Sequence, residues 1–384
     1  MKTNAPHLVE PPKTILVVDD SAVARQALRA LIERDPGFRV LTAVDPYDAV
    51  EVMRRTTPSA IVLDVNMPRM DGLTFLRKLM RQHPLPVLLC TDQPERGLAG
   101  LELGALDVIA KPNWSDEAPL ALWSERLLEG LRLAVHVVPG TPPVTAQATT
   151  PTASARPSDP GSSLAEPKHS ADVVLPRTPH SARGQVLEKI VVMGASTGGV
   201  QALARLLADL PATLPGIVIV QHMGPGGFTA AFAERLARDT KVRLKTAEAR
   251  HGEMVQPGSA LIIPGDVHGL VRRSGTHYRI ELSEGPRVSR HRPSVDVLFR
   301  AAAQAAGPHA LGVILTGMGD DGAQGMVELR QDGAWTIAQD EATSIVFGMP
   351  GAAIRRGAAR QVLPLEAIGG AITAWAGGRE YDAR

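Results

Sequence analysis

The chain has 384 residues, of which 44% are hydrophobic, which is enough for two or three globular domains with sizeable cores. Its 41 Lys and Arg residues nearly balance its 40 Asp and Glu residues, so the net charge gives no electrostatic case for a nucleic-acid or anionic-membrane partner. A single cysteine, Cys90, excludes an intramolecular disulfide and suits a reducing compartment. We find no apolar signal core and no run of the roughly 20 apolar residues that a membrane-spanning helix needs. We therefore expect a cytoplasmic protein without membrane insertion.

Strand and helix patterns alternate five times in the first third of the chain. The apolar runs predict strands at 14–18, 39–44, 60–63, 86–90 and 107–110, and the intervening periodic segments predict helices at 22–34, 47–55, 72–82, 96–103 and 117–136. Such alternation predicts a parallel sheet that is covered by helices on both faces.

Five polar residues end or directly follow these predicted strands: Asp19, Asp20, Asp64, Thr91 and Lys111. The ends of parallel strands meet at one edge of the sheet, where α/β proteins bind ligands. Three carboxylates at one edge repel each other unless a cation joins them, and an oxygen-rich cluster suits Mg²⁺. A lysine and a threonine hydroxyl suit a phosphoryl group. A single Asp after a strand is usually a helix cap, but five residues at one edge make that interpretation weak.

Residues 13–136 resemble a response-regulator receiver domain in three segments, VVDDS at 17–21, LDVNMPRMDG at 63–72 and AKP at 110–112. The resemblance implies a flavodoxin-like five-stranded sheet in which a cognate histidine kinase phosphorylates Asp64. It also implies that Mg²⁺ is held by Asp19, Asp20, Asp64 and the backbone carbonyl of Asn66, and that Thr91 and Lys111 contact the phosphoryl oxygens. One position departs from the family, because Val108 stands where an aromatic switch residue is common.

Residues 137–187 form a segment rich in Pro, Ser, Thr and Ala. Such a composition cannot bury enough apolar surface to offset the cost of ordering, so we expect a flexible tether. The apolar residues 173–175 are the part of the tether that could dock locally.

The remaining residues, 188–384, again alternate between strand and helix patterns. Strands are predicted at 190–193, 216–220, 242–246, 260–263, 310–315 and 335–338, helices at 200–208, 228–238 and 295–306, and a β-hairpin at 268–273 and 277–282. This pattern predicts a doubly wound, mainly parallel α/β domain with an inserted hairpin.

A glycine-rich turn, GASTGG at 194–199, follows the first of these strands. Its first five residues match the G-x-S-x-G nucleophile elbow, with Ser196 as the nucleophile. Two other interpretations remain open on local sequence, a phosphate-binding loop and a plain tight turn between strand and helix.

Ser196, His222 and the pair Asp320/Asp321 each follow an apolar run, so parallel packing would bring them to one edge. A serine nucleophile needs a base and a carboxylate that orients the base, and these residue types are all available here. The residues alone leave alternatives open: His251, His268 and His291 are rival bases, and Asp320, Asp321 and Asp340 are rival orienting carboxylates.

Six segments together resemble the chemotaxis receptor methylesterase family, CheB: GASTGG at 194–199, QHM at 221–223, HRPSVD at 291–296, LTGMGDDG at 315–322, AQDEA at 338–342 and MP at 349–350. The resemblance implies a triad of Ser196, His222 and Asp321, with Thr197 and the backbone N–H of Met318 holding the oxyanion and no cofactor in this domain. Two positions depart from the common pattern: Asp320 replaces a frequent Asn, and residues 224–227 carry three glycines where two prolines are common.

The resemblance also implies the reaction and its partners. The substrates would be glutamate γ-methyl esters on the cytoplasmic helices of chemoreceptors, with methanol as product, and some relatives also deamidate receptor glutamines. The two-domain layout leads us to the hypothesis that the receiver restrains access to Ser196 until Asp64 is phosphorylated. Alternatives are an esterase of a receptor outside chemotaxis, a receiver-controlled nucleotide-binding module and a DNA-binding regulator. The last lacks a helix-turn-helix pattern and a basic stripe.

Overall fold

The structure is a computed structural model that describes residues 11–112, 117–137, 168–178, 188–239 and 241–379. Contacts within the chain divide it into two compact units, Met1–Gly140 and Thr141–Arg384, which are described separately below. Among the described residues, none of the helices combines the length and the apolar character that crossing a membrane requires.

The first unit is a five-stranded parallel sheet with the order β2-β1-β3-β4-β5. Its strands are β1 (Lys13–Val18), β2 (Phe38–Ala43), β3 (Ala60–Asp64), β4 (Val87–Thr91) and β5 (Asp107–Ala110), and its helices are α1 (Ala22–Ile32), α2 (Pro46–Arg55), α3 (Gly72–Gln82), α4 (Pro94–Glu102) and α5 (Glu117–Ala134). Every residue of β3 and β4 is buried, as expected for central strands covered on both faces. This strand order is the flavodoxin-like one, so the predicted fold of this unit is confirmed.

The second unit contains a seven-stranded parallel sheet with the order β14-β13-β12-β6-β7-β9-β8. Its strands are β6 (Ile190–Ala195), β7 (Gly216–Gln221), β8 (Lys245–Glu248), β9 (Ser259–Ile262), β12 (Ala310–Ile314), β13 (Trp335–Gln339) and β14 (Gln361–Leu363). An antiparallel hairpin of β10 (His268–Ser274) and β11 (His277–Ser283) forms a sheet of its own. The predicted parallel α/β domain with an inserted hairpin is therefore confirmed.

The helices of this unit are α6 (Gly199–Ala208), α7 (Phe228–Arg238), α8 (Val295–Ala306), α9 (Ala323–Gln331), α10 (Met349–Arg355) and α11 (Leu365–Ala376). Helix α9 contacts both α8 and α10, and α6 contacts α11. Ile190 and Val192 of β6 join the apolar cluster beneath the first group, while Val191 and Met193, which point to the opposite face, are also fully buried. The sheet is thus covered on both faces.

Residues 168–178, within the predicted tether, pack on this second unit. Ala171 and Leu175 are buried with Leu270, Val288, Val297 and Ala301. The Arg300 guanidinium donates to the Leu175 carbonyl at 2.9 Å and to the Asp172 carboxylate at 2.7 Å. The local docking expected of the apolar residues 173–175 is observed at Leu175, and it extends to Ala171. This part of the segment therefore departs from the flexible tether expected of residues 137–187, because its apolar residues are buried and the Leu175 carbonyl accepts a hydrogen bond from Arg300.

The buried ion pair between Arg300 and Glu328 generates a stability prediction. Their side chains are 5% and 3% exposed and form two hydrogen bonds of 2.8 and 2.7 Å. We expect Glu328→Ala to lower the free energy of unfolding by about 3–5 kcal/mol, because it leaves a buried guanidinium charge without its main partner. Urea unfolding of the full chain measures this.

The control is Glu366→Ala, which removes the exposed pair between Arg205 and Glu366, whose side chains are 65% and 58% exposed. We expect a change below about 1 kcal/mol there. Equal losses in the two variants would contradict the importance of burial.

Candidate functional site

Ser196 lies in the turn between β6 and α6. Its N–H donates to the Thr316 carbonyl at 3.0 Å, which ties the turn to the loop after the neighbouring strand β12. Gly198 has a φ of +78°, a left-handed conformation that glycine adopts without strain and that allows the helix to start immediately. A Cβ on Gly199 would lie 2.1 Å from Oε1 of Gln221. Close packing against the Gln221 side chain thus explains the glycine at position 199. A bound phosphate is not needed to explain it.

His222 directly follows β7, the strand next to β6. Its N–H donates to the Ala195 carbonyl at 2.9 Å, and its side chain is buried. The Gln221 amide nitrogen donates to the carbonyls of Ser196 and His222 at 2.9 and 3.2 Å. Gln221 thus joins the backbones of the two residues, a role that sequence reasoning missed although the residue belongs to a quoted motif.

Asp321 lies in the loop between β12 and α9 and is fully buried. Its Oδ1 accepts hydrogen bonds from the Ser294 hydroxyl at 2.8 Å and the Asp296 N–H at 3.1 Å. Its Oδ2 accepts from the Val295 N–H at 2.7 Å and contacts Nε2 of His222 at 2.9 Å. Ser294 is the N-cap of α8, so the carboxylate lies against the first N–H groups of a helix, where negative charge is stabilised.

The charge state of Asp321 determines the tautomer of His222. Burial acts to raise the pKa of Asp321, but the hydrogen bond and charge of His222, the charge of His291 and the Ser294 hydroxyl outweigh it and hold the pKa well below its usual range. An ionised carboxylate only accepts hydrogen bonds, so neutral His222 carries its proton on Nε2 and its lone pair on Nδ1. The carboxylate therefore contacts Nε2 here, whereas in the chymotrypsin-type triad it binds Nδ1.

The rival bases and carboxylates have other roles. Nδ1 of His268 accepts the Ser294 N–H at 3.3 Å and its Nε2 lies 2.9 Å from the Pro286 carbonyl, while burial, as the main cause, lowers its pKa. His251 is exposed and accepts the Leu282 N–H at 3.3 Å. Asp340 accepts the hydroxyl of Thr343 at 2.6 Å within a turn. The structure brings none of these three into hydrogen-bond contact with His222 in the part of the chain that it describes.

The rival base His291 lies directly beside His222. The two rings are stacked, with centroids 3.8 Å apart and planes 9° apart. Sequence reasoning considered His291 as a base but gave no signal that it packs face to face with the other histidine.

Asp296, the second residue of α8, carries a second buried carboxyl near the site. Burial and the charge of Asp321 raise its pKa to about 8. Its oxygens accept from the Gly325 N–H at 2.7 Å and the Ser289 hydroxyl at 3.2 Å. Burial and repulsion between the two carboxyls therefore favour a single charge on the pair Asp296 and Asp321.

The loop that contains Met318 packs directly on the nucleophile turn. A Cβ on Gly317 would lie 2.8 Å from Cβ of Ser196, and the Gly317 carbonyl accepts the N–H groups of Gly348 and Met349 at 3.1 and 2.8 Å. Thr197 is buried, and its carbonyl accepts the Thr316 hydroxyl at 3.0 Å. The two residues predicted to hold the oxyanion therefore flank Ser196 on firmly held backbone.

Both departures from the family pattern have a structural explanation. The carboxylate of Asp320 contacts Nζ of Lys168 at 2.5 Å and a guanidinium nitrogen of Arg356 at 3.2 Å, so its additional charge is compensated. Gly226 and Gly227 have φ values of +93° and +84°, which proline cannot adopt.

In the first unit, the predicted strand-end residues come together. One oxygen from each of Asp19, Asp20 and Asp64 lies within 4.8 Å of the others. Nζ of Lys111 lies 2.9 Å from Asp19 and 3.0 Å from Asp64. Thr91 is buried at the end of β4, the strand that pairs with β3.

Two other residues of this unit were singled out from the sequence. The side-chain oxygen of Asn66 accepts a hydrogen bond from the Arg96 guanidinium at 2.6 Å. Asn66 lies two positions after Asp64 in the chain. Val108 is buried in the middle of β5.

The donor set at this edge fits Mg²⁺. Burial, as the main cause, raises the pKa of Asp64, with the Asp19 charge acting in the same direction and Lys111 opposing it. A hard divalent cation prefers oxygen ligands and stabilises carboxylates that are held close together. Asp19, Asp20 and Asp64 would therefore hold the ion.

Together, the first unit has the carboxylate edge of a receiver, and the second has Ser, His and Asp after three neighbouring strands, an arrangement typical of a receiver-linked hydrolase. The chain matches the family model for CheB methylesterase over residues 191–372 and that for the response regulator receiver domain over residues 15–121.

Relatives cover nearly the whole chain. It is 54% identical to protein-glutamate methylesterase/protein-glutamine glutaminase 5 of Anaeromyxobacter dehalogenans, over 93% of this chain and 95% of the relative, and 51% identical to a Xanthomonas campestris protein of the same name, numbered 2, over 92% and 97%. A crystal structure of the Thermotoga maritima CheB methylesterase catalytic domain is 39% identical and covers 49% of this chain and 98% of its own, with a TM-score of 0.47. The chain belongs to the CheB methylesterase family.

The raised pKa of Asp64 leads to a prediction about the metal-free receiver. An acid whose pKa is raised by folding stabilises the fold below its usual pKa and loses that contribution as the pH rises through the raised value. At pH 7 in Mg²⁺-free buffer, we expect Asp64→Asn to slow amide hydrogen exchange in β3 of the full chain, because it removes a desolvated charge. Added Mg²⁺ should protect β3 in the wild type and much less in the variant.

The matched control is Asp35→Asn, which alters a carboxylate of the same unit that pairs with Arg132 at 2.7 Å. Its response to Mg²⁺ should equal that of the wild type. Undiminished protection by Mg²⁺ in Asp64→Asn would show that Asp64 is not a ligand.

Proposed function

We propose that this protein is a phosphorylation-regulated serine esterase that removes methyl groups from glutamate γ-methyl esters of methyl-accepting chemoreceptors. The observation that carries the proposal is the 2.9 Å hydrogen bond from Nε2 of His222 to an ionised Asp321, at the strand next to Ser196. It leaves Nδ1 as the base, in a chain that belongs to the methylesterase family. The relatives' names supply the substrate class.

The first step is attack of the Ser196 Oγ on the ester carbonyl while Nδ1 of His222 takes the hydroxyl proton. Asp321 remains ionised and stabilises the imidazolium that forms, since its four hydrogen-bond partners already hold it as an anion. Because these contacts hold Asp321 in place, its hydrogen bond to Nε2 prevents the His222 ring from flipping to present Nε2 to Ser196.

The tetrahedral oxyanion takes hydrogen bonds from the Met318 N–H and from Thr197, each contributing about 3 kcal/mol. His222 then protonates the leaving group, and methanol departs. A water molecule that gives its proton to His222 attacks the acyl-enzyme, releasing the receptor glutamate and restoring Ser196.

The same groups can deamidate a receptor glutamine. Attack on the amide carbonyl gives the same acyl-enzyme, and the proton on His222 goes to the departing ammonia. The relatives carry both activities in their names, and the shared intermediate supports both for this chain.

The receiver supplies the control. A cognate histidine kinase would transfer a phosphoryl group to Asp64, with Thr91 and Lys111 contacting its oxygens and Asp19, Asp20, Asp64 and the Asn66 carbonyl holding Mg²⁺. Bound Mg²⁺ would neutralise charge on the phosphoryl oxygens. We place the receiver at 13–136, the linker at 137–187 and the esterase domain at 188–384, in the cytoplasm, where receptor helices are methylated.

Two adjacent aspartates provide a matched test of the triad. We expect Asp321→Asn to lower the rate of methanol release from a methylated chemoreceptor fragment by roughly 10⁴-fold, because the amide favours the wrong His222 tautomer. Asp320→Asn should stay within about threefold of wild type, because that side chain pairs with Lys168 and Arg356.

Ser196→Ala serves as the reference for complete loss of the nucleophile. Activity that survives in this variant, or equal losses in the two aspartate variants, would contradict the proposed mechanism.

Regulation is tested with acetyl phosphate and Mg²⁺ on the full chain. We expect methanol release to rise by roughly 5- to 150-fold in the wild type, the range of a typical coupling free energy between two sites. The Asp64→Asn variant should not respond. A response of equal size in both proteins would mean that Asp64 is not the regulatory site.

A further inference from the structure

One ring in the active site has no part in the mechanism so far. His291 stacks on His222 with a centroid separation of 3.8 Å and an interplanar angle of 9°. The contact is between faces, so it restrains the tilt of the His222 ring without covering the ring edge, where Nε2 contacts Asp321. Parallel packing of flat rings at this distance is a close van der Waals contact.

The backbone holds His291 at the end of a tight two-residue turn. The N–H of Val288 and the carbonyl of His291 form a 3.0 Å hydrogen bond, and the reverse bond measures 2.8 Å. The two residues between them, Ser289 and Arg290, have φ values of +50° and +68°. Non-glycine residues seldom adopt this conformation, and they retain it where the surrounding structure imposes it.

The surroundings of this turn impose its conformation from three directions. Val288 is fully buried in the cluster that contains Ala171 and Leu175. The Ser289 N–H donates to the carbonyl of His169 at 2.9 Å, and its hydroxyl donates to Asp296 at 3.2 Å. The turn that carries His291 is thus anchored to residues 168–178 and to helix α8.

The hydrogen bond to Asp321 fixes one ring atom of His222, and rotation about that contact would change the direction in which Nδ1 points. A flat group on the ring face opposes this rotation. We propose that His291 is a positioning residue that holds the His222 ring in the orientation needed to take the proton of Ser196. The positioning comes from contact with the flat ring, whereas the charge of His291 acts separately by lowering the pKa of Asp321. This inference rests on the proposed esterase function.

The test compares His291→Ala and His291→Phe with the control His277→Ala. The control removes an exposed histidine of β11 that pairs with Glu188. For each full-length variant, kcat and KM are measured by methanol release from a methylated chemoreceptor cytoplasmic fragment. Independently of the substrate, ¹⁵N-histidine NMR reports the protonation of Nδ1 and Nε2 of His222, assigned with His222→Gln. Thermal unfolding checks that the variants are folded.

We expect His291→Ala to lower kcat by about 10- to 100-fold, as for a misplaced catalytic group, with KM within about twofold of wild type. The His222 signals of this variant should move towards an average of the two tautomers. His291→Phe should restore kcat to within about threefold and keep the proton on Nε2, and His277→Ala should match the wild type.

Unchanged kcat in His291→Ala would overturn the proposal. Loss of kcat in His291→Phe as large as in His291→Ala would also overturn it, since the nitrogen atoms would then be needed. If the wild type released no methanol, the proposed function would fail, and the NMR comparison of the Ala and Phe variants would still decide whether His291 orients His222.

Discussion

The active site depends on a buried negative charge at the start of a helix. Asp321 is removed from water, yet it remains ionised because the Ser294 hydroxyl, two N–H groups of α8 and His222 all donate to it. That charge fixes the proton of neutral His222 on Nε2, which leaves Nδ1 for the role of base that we propose. Packing permits the arrangement: a Cβ on Gly194 would lie 2.2 Å from Val295, so glycine at the end of β6 allows the helix to approach the site.

Both units keep carboxylates under electrostatic strain where chemistry takes place. The anions Asp19, Asp20 and Asp64 gather at one sheet edge, with Lys111 as a partial counterion. In the catalytic unit, burial and the Asp321 charge keep Asp296 mainly protonated, so a single charge is retained where two would repel. In each case the close carboxyl groups lower the stability of the fold locally. The surrounding parallel sheet keeps these groups in position.

Much of this could be predicted from sequence, because parallel strands bring their ends to one edge and because Ser196, His222 and Asp321 each follow an apolar run. Elements with weak periodicity were not predicted: helices α9, α10 and α11 and strand β14 received no assignment. In the tether, local docking was expected only of residues 173–175, whereas the packed part extends over residues 168–178. The choice of Asp321 over Asp320 came from the family resemblance. The roles of Gln221 and Ser294, and the stacking of His291, depend on contacts between distant segments, which spacing along the chain does not encode.

The central claim is that Asp321 is the fixed charge of the site and Asp296 its neutral neighbour. The direct measurement is ¹³C NMR of the aspartate side-chain carboxyls of the full chain between pH 5 and 9, assigned with Asp321→Asn and Asp296→Asn. The account predicts that Asp321 stays ionised across the whole range while Asp296 titrates near 8. A protonated Asp321 at pH 6, or two ionised carboxylates there, would contradict it.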